Sequence, residues 1–181
     1  LQLKKLGVEI RLNHAPTVEE LKEYDIVLNA TGAVSYLPDC VGHDHPMVVP
    51  FQKVLACPKE SCEHRPGDRR MQKVGQKVIV WGDHFAAVDT AEFLASIGKE
   101  VTVVTEEKEL GARLEVIHMY VTRKNFRQEH AEGLEDQKAY PHPVTVLENT
   151  TVYRIMDGQV ILMDRDFNQF SVEADTVVNC H

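Results

Sequence analysis

The sequence predicts an α/β protein built around a parallel sheet, and three observations lead to this fold class. A strand, a tight turn, a helix and a second strand follow one another over residues 77–105, short alternating segments occupy residues 144–173, and a further apolar strand covers residues 175–179. Alternating strands and helices are typical of parallel sheets, whereas consecutive short strands favour an antiparallel meander. We therefore expect a domain with both, preceded by part of a second α/β domain.

The composition indicates a globular protein with an acidic surface. The 181 residues include 20 Lys and Arg against 28 Asp and Glu, giving a net charge of -8, and 43% of them are hydrophobic. The negative charge disfavours nucleic acid and anionic membranes as partners. No apolar run approaches the ~20 residues that span a bilayer. Four cysteines in a chain of this length predict a reducing, cytoplasmic location rather than a disulfide scaffold.

The first fifty residues show the helix and strand pattern of a domain whose beginning is missing. Residues 1–7 predict the last turns of a helix, and residues 8–12 alternate as in a strand. Thr17 and Glu20 have the spacing of a capping box at the start of a second helix. Residues 25–32 predict a short buried strand that runs into a glycine turn. We expect this region to be the trailing part of an FAD-type domain in a fragment of a longer protein.

A proline- and glycine-rich connection divides the chain. Residues 38–75 contain five prolines, which indicates an irregular segment, with a possible short helix at residues 51–56. The predicted organisation is therefore a first domain at 1–50, a linker at 51–74 and a second domain at 75–181. Residues 25–31 and 175–181 share Asp, Val and Asn at equal offsets, which favours two copies of one domain type over a chance likeness of two apolar strands.

The most informative segment is the strand–turn–helix–strand unit. A strand at 77–81 precedes a tight turn, and residues 85–97 predict a helix that is followed by a strand at 100–105. The helix has an apolar face of mostly small side chains that suits close packing on a sheet: Ala87, Ala91, Leu94 and Ala95. The unit has the length that dinucleotide-binding folds use.

The turn carries a partial G-x-G-x-x-G/A fingerprint, in which the helix N-terminus receives a diphosphate. Gly82 occupies the first position and Ala87 an accepted third position, with Asp83 and Phe85 between them in the turn. His84 replaces the second glycine, so its imidazole either blocks or covers the phosphates, and the charge of Asp83 opposes them. The residues therefore allow two interpretations: a working NAD(H) site, or a vestigial site that binds poorly or binds only an adenine nucleotide.

The end of the second strand should contact the adenosine ribose. Thr105 stands where the fold usually has an acidic residue, and Glu106 follows one position later. Glu106 and Glu107 favour the unphosphorylated ribose of NAD(H) over NADP(H). We accordingly count Thr105 and Glu106 with the turn as candidate cofactor-binding residues.

The rest of the second domain continues the α/β pattern. Residues 113–130 predict a helix whose inward face contains Leu114, Ile117 and Val121, and whose basic residues at 123–127 we interpret as a solvated face rather than a binding patch. Four short strands are then predicted to form a meander with a hairpin turn at Asp157-Gly158: residues 144–147, 152–155, 160–163 and 170–173.

These motifs together resemble the two-dinucleotide-domain flavoproteins of the glutathione-reductase type. Within that group, the chain is most similar to the C-terminal nucleotide-binding region of the NADH:flavin oxidoreductases related to trimethylamine dehydrogenase and 2,4-dienoyl-CoA reductase. The matching segments are residues 3–10, 25–33, 77–105 and 174–178. The likeness extends over nearly the whole chain except residues 57–73 and 131–143.

The resemblance implies a Rossmann-like FAD/NAD(P)-binding fold and a set of cofactors. FAD would belong to the full-length protein, with Thr31 and Gly32 near the flavin-side dinucleotide, and NAD(H) or ADP would occupy the second domain. FMN and an iron–sulfur cluster would lie outside this fragment. Implied partners are the nucleotide cofactor, the missing N-terminal domains of the same chain and an electron-transfer flavoprotein. Hydride would pass from nicotinamide to flavin, and no catalytic residue is assigned here.

The departures from the fingerprint resemble one branch of this family. The residues Asp83, His84 and Thr105 resemble those of the amine dehydrogenase branch. The resemblance implies that this site no longer accepts NADH and that ADP occupies a domain of this type. The alternative function is therefore a degenerate nucleotide-binding or structural domain.

The cysteines suggest two further sites that we regard as weaker hypotheses. Cys57 and Cys62 have the spacing of a redox pair in disulfide reductases, and with His64, His43 and His45 they could bind zinc. The surrounding prolines and the lack of a C-x-x-C pair favour a polar loop instead. No metal ligand is predicted.

Overall fold

A computed structural model describes residues 2–32, 35–55, 74–112, 114–129 and 140–181 of the chain. Contacts divide it into two units, Leu1–Val34 and Ser35–His181. The first unit contains two short helices, α1 (Gln2–Lys5) and α2 (Val18–Leu21). The predicted capping box is confirmed at α2, where the amide of Glu20 donates to Thr17 Oγ1 and the amide of Thr17 donates to the Glu20 carboxylate.

The two strands predicted in the first unit are wrong. Residues 8–12 and 25–32 form no strand, and the apolar side chains of Ile26 and Leu28 are 79% and 87% exposed. A strand needs a neighbour that completes its backbone hydrogen bonds. No described residue pairs with either segment, so the alternating apolar pattern alone does not produce a strand here.

The second unit contains the remaining elements in an α/β order. They are β1 (Val48–Pro50), α3 (Phe51–Leu55), β2 (Lys77–Trp81), α4 (Phe85–Ser96), β3 (Glu100–Val104), α5 (Val116–Arg127), β4 (Thr145–Leu147), β5 (Thr150–Met156), β6 (Gln159–Asp164), β7 (Gln169–Glu173) and β8 (Thr176–Asn179). β1, β8, β2, β3 and β4 lie in that order in one sheet, and all their pairings are parallel. β5, β6 and β7 form an antiparallel meander. The predicted fold class is confirmed.

Each face of the parallel sheet has its own core. On one face, the sheet packs against α4, whose predicted apolar face is confirmed because Ala87, Ala91, Leu94 and Ala95 are fully buried. On the other face, Ile79, Trp81, Val104 and Val177 pack with meander residues such as Val160 and Leu162. The meander therefore covers the side of the sheet that the helices leave open.

Three details of the second unit differ from the prediction. β4 pairs with β3 in the parallel sheet and takes no part in the meander. The stretch at 48–50 forms β1 beside β8, so the sheet includes residues assigned to the first domain; the assignment of 1–50 to an FAD-type domain stays a prediction. The short helix inside the predicted linker is confirmed as α3, and its Val54 is fully buried.

The predicted apolar face at α5 is wrong for two of its three residues, although Leu114 packs against the core. Ile117 and Val121 are 73% and 51% exposed, whereas Met119, Thr122 and Phe126 are buried. Glu115 caps the helix by accepting hydrogen bonds from two amides of the first turn, which sets where the helix begins. In this register Phe126 lies in the core, where its ring centroid is 6.2 Å from that of Tyr140.

Candidate functional site at the carboxyl edge of the parallel sheet

The carboxyl ends of the central strands meet at one edge of the sheet. The amide of Gly82, directly after β2, donates to Val104 O at the end of β3 over 3.1 Å, and the amide of Cys180, directly after β8, donates to Trp81 O over 2.9 Å. The chain moves from β2 to β3 and β4 on one side, while β8 and β1 lie on the other. The predicted turn therefore lies at the reversal of strand order where open α/β sheets bind ligands.

Gly82 is required by the packing of the strands. Its φ is +146°, and an added Cβ would lie 3.1 Å from Cys180 Cβ and 3.3 Å from Cys180 O. A side chain at this position would thus be strained and would press on β8. The first glycine of the fingerprint serves the close approach of β2 and β8.

His84 forms the N-cap of α4 without using its side chain. Its backbone is extended, and the first helical hydrogen bonds run from the amides of Ala87 and Val88 to His84 O over 2.9 and 3.1 Å. Within the described residues, the amides of Phe85 and Ala86 have no hydrogen-bond partner. Because no side chain caps this 12-residue helix, its first amides and its dipole favour a bound anion.

Two carboxylates flank this helix end. The Asp83 side chain is only 15% exposed, and its Oδ1 lies 3.5 Å from Nδ1 of His84. Glu106 is exposed, and its Oε1 accepts a hydrogen bond from the Thr151 hydroxyl over 2.6 Å. The negative charge of Asp83 opposes an anion at the turn. The Glu106 carboxylate, held by Thr151, can accept a hydrogen bond from a neutral hydroxyl donor.

Thr105 joins the sheet to the meander. It is buried, its amide donates to Leu147 O, and its carbonyl accepts from the amide of Thr150. Its hydroxyl accepts a hydrogen bond from the amide of Glu107. The side chain therefore holds the turn after β3, and its contact with a nucleotide stays a prediction.

Four residues that the sequence analysis did not single out complete this edge. Trp81 and His181 pack edge-on with ring centroids 5.3 Å apart, and Trp81 Nε1 and His181 Nε2 are buried with no hydrogen-bond partner among the described residues. Asn179 accepts from the amide of His181 and donates to Tyr36 O. A buried polar atom without a partner is rare in folded proteins and often marks a functional site.

Burial controls the charge of His181. Loss of hydration lowers the pKa of its imidazole, although the nearby carboxylates of Asp83 and Glu106 act in the opposite direction. The edge thus presents a neutral ring beside two carboxylates. Only the order of strands in the sheet brings His181 next to Trp81, so no local sequence signal could have identified this pair.

Thr31 and Gly32 lie in the first unit and are exposed. The amide and hydroxyl of Thr31 both donate to Asn29 Oδ1, over 3.2 and 3.0 Å, and Gly32 has a φ of +82°. Gly32 thus has the left-handed backbone that favours glycine, the strand predicted before it is absent, and the predicted glycine turn stays a prediction because residues 33–34 lie outside the described residues.

The proposed cysteine and zinc sites lie largely outside the described residues, because Cys57, Cys62 and His64 are not among them. His43 makes a contact of 2.9 Å between its Nδ1 and Cys40 O, and His45 lies 3.1 Å from Asp157.

Among the described helices, none combines the length and apolarity needed to cross a membrane.

Comparison with known proteins reveals similarity to reductases. No family model matches the chain. Over 110 residues, or 60% of the chain, it is 36% identical to a cinnamate reductase of Clostridium sporogenes, and this match covers 14% of that protein. A 2-naphthoyl-CoA reductase in complex with 2-naphthoyl-CoA superimposes with a TM-score of 0.67 and 25% identity, over 98% of the chain and 23% of that structure. The chain is similar to oxidoreductases.

A further structure supports the fold. The HOCl-induced flavoprotein disulfide reductase of Escherichia coli aligns over 83% of the chain and 28% of its own length, with a TM-score of 0.55 and 15% identity. The chain spans less than a quarter of the cinnamate reductase and of the naphthoyl-CoA reductase. These similarities show that the chain shares its fold with parts of larger oxidoreductases.

Proposed function

We propose that the chain is the dinucleotide-binding part of a flavin-dependent oxidoreductase and passes electrons between NAD(H) and FAD. The observation that carries this proposal is that the N-terminus of α4 lies at the carboxyl edge of the parallel sheet, directly after β2, and that no side chain caps it. The similarity to two reductases supports the redox chemistry.

The described residues fit a dinucleotide at this edge. The free amides of Phe85 and Ala86 would receive a diphosphate, and the dipole of α4 would add to the attraction. Glu106, held by Thr151, would accept hydrogen bonds from the adenosine ribose and would repel a 2′-phosphate, which favours NAD(H) over NADP(H). NAD(H) supplies the hydride chemistry when bound, and the protein orients it.

The FAD side of the proposal involves the first unit. Thr31 and Gly32 are exposed there, so they would be accessible to a flavin dinucleotide held by parts of the protein outside this chain. An electron-transfer flavoprotein as partner, and FMN and an iron–sulfur cluster elsewhere in the protein, belong to the same proposal.

A second candidate function is favoured by Asp83 and His84. The imidazole of His84 stands where the fingerprint has its second glycine, and the partly buried carboxylate of Asp83 directly precedes it. Both hinder the approach of a diphosphate, so the domain could bind ADP alone or serve as structural support in an amine-dehydrogenase-like flavoprotein.

Titration of the purified protein with NADH and with ADP distinguishes the two functions. Trp81 is the only tryptophan and directly precedes the turn, so its fluorescence reports on this edge alongside calorimetry. Saturable NADH binding in the micromolar range is expected. Binding of ADP alone supports the second function, and failure of both nucleotides to bind contradicts nucleotide binding altogether.

The variant His84→Gly tests the steric part of the argument. If the imidazole limits the approach of phosphates, its removal should strengthen nucleotide affinity several-fold, whereas the exposed control His142→Gly should leave the affinity unchanged. An unchanged affinity in His84→Gly would show that the imidazole does not close the site.

A further inference from the structure

Three potential metal ligands converge where α4 and α5 face each other. Asp89 and Glu92 lie one turn apart on α4, and His118 lies in the first turn of α5; one ligand atom from each lies within 4.8 Å of the other two. We propose that Asp89, Glu92 and His118 bind a divalent transition-metal ion, at a site that adjoins the nucleotide turn but uses none of its residues as ligands.

Neighbouring side chains hold two of these ligands in place. The Thr122 hydroxyl donates to Glu92 Oε1 over 3.0 Å, and the Tyr140 phenol also hydrogen-bonds to Glu92. These two bonds fix the orientation of the carboxylate, and its remaining lone pairs can bind an ion. The His118 ring contacts the Phe85 ring, with centroids 5.9 Å apart. Such contacts behind a metal ligand fix its orientation and raise the affinity of the site.

The helices themselves are firmly anchored. Val88 and Ala91 of α4, and Phe126 of α5, are buried in the core beneath the sheet face that the helices cover. Ligands on rigid elements are positioned more accurately than ligands on loops.

The charge of the two carboxylates is not balanced by neighbouring cations. Among the described residues, no Lys or Arg forms an ion pair with Asp89 or Glu92. The Tyr140 phenol is an uncharged hydrogen-bond partner of Glu92, so it does not balance the charge of this carboxylate. Two carboxylates one turn apart repel each other, and a bound cation would remove that repulsion.

The ligand set selects the class of ion. Mg²⁺ and Ca²⁺ prefer oxygen ligands alone, whereas an imidazole with carboxylates suits Zn²⁺ or Co²⁺. With metal–ligand distances of about 2.0–2.2 Å, the donors of one ion are about 3–4 Å apart. Asp89 and His118 are exposed, so small rotations of their side chains can reach this spacing and water can complete the coordination.

Titration of the nucleotide-free protein with Co²⁺ and with Zn²⁺ tests the site. We expect one equivalent to bind by calorimetry, and we expect Co²⁺ to shift the proton NMR signals of the His118 ring. His118→Gln and Asp89→Asn should each weaken binding by more than about tenfold. The exposed control His142→Gln should bind as the wild type does.

Several results would overturn the proposal. They are the absence of stoichiometric binding, unchanged affinity in both ligand variants, or loss of affinity in His142→Gln instead. Circular dichroism verifies that each variant is folded. If His118→Gln does not fold, Asp89→Asn still tests the site. Because the titration omits nucleotide, its outcome is independent of whether the turn after β2 binds NADH.

Discussion

At the scale of single residues, the candidate site depends on backbone conformation more than on side-chain chemistry. Gly82 allows β2 and β8 to approach, and His84 caps α4 with an extended backbone and no side-chain bond. Because the fingerprint is local, the sequence alone could place both residues between β2 and α4, and their role in nucleotide binding stays a prediction. It could not show that the glycine faces Cys180, since that contact joins residues far apart in the chain.

Replacing Gly82 with alanine should destabilise the protein by about 1–3 kcal/mol. The new Cβ would meet Cys180 at 3.1 Å on a backbone with a φ of +146°. Urea unfolding followed by Trp81 fluorescence measures the loss. The matched control is Gly158→Ala, at a φ of +69° with no atom within 4 Å, which retains only the conformational strain and should lose less. Equal losses would refute the role of the contact with Cys180.

At the scale of elements, local sequence patterns predicted the unit β2–α4–β3. They could not predict which strands pair when those strands are far apart in the chain. The small apolar face of α4 and the alternation of β2 and β3 are properties of contiguous residues. The insertion of β8 between β1 and β2 is not, and neither is the pairing of β4 with β3. α5 was assigned the wrong face because its exposed surface contains apolar residues such as Ile117 and Val121.

The junction of β2 and β8 should weaken in acid because of Asp175. Its Oδ2 accepts hydrogen bonds from the amides of Lys77 and Gln76, each over 2.8 Å, and the bond from Lys77 is the main cause that lowers the pKa of this carboxyl. A carboxyl whose pKa is lowered on folding stabilises the protein above its unfolded pKa, and this stabilisation is lost as the pH falls through the folded pKa.

The stability difference between the wild type and Asp175→Asn, measured by urea unfolding from pH 7 down to pH 3, should therefore shrink as the pH falls. The exposed control Asp166→Asn should show a smaller dependence. A difference that stays constant across this range would contradict the linkage.

At the scale of the molecule, the two sheets of the second unit share one core. Leu162 and Val160 of β6 pack with Ile79 and Trp81 of β2. The first unit differs, since none of its described residues is buried. The second unit should thus unfold as one cooperative body, with the meander and the parallel sheet losing structure together.

Leu162→Ala should lower the stability of this body by about 2–5 kcal/mol, because the side chain is fully buried. Trp81 fluorescence reports on the sheet and far-ultraviolet circular dichroism on all elements, and both should give the same, lowered midpoint. The partly exposed control Phe170→Ala should cost less. Separate midpoints for the two signals would show that the meander unfolds by itself.

The position of β8 between β1 and β2 has a consequence for biosynthesis. β1 and β2 leave the ribosome long before β8, which lies between them in the sheet. The pairing of these strands is therefore incomplete until Thr176–Asn179 has been synthesised. Until then, the edge of β2 that β8 will cover lacks its native partner, and such delayed long-range pairing slows folding and exposes the nascent chain to aggregation. A chaperone that shields this edge during translation would raise the yield of native protein.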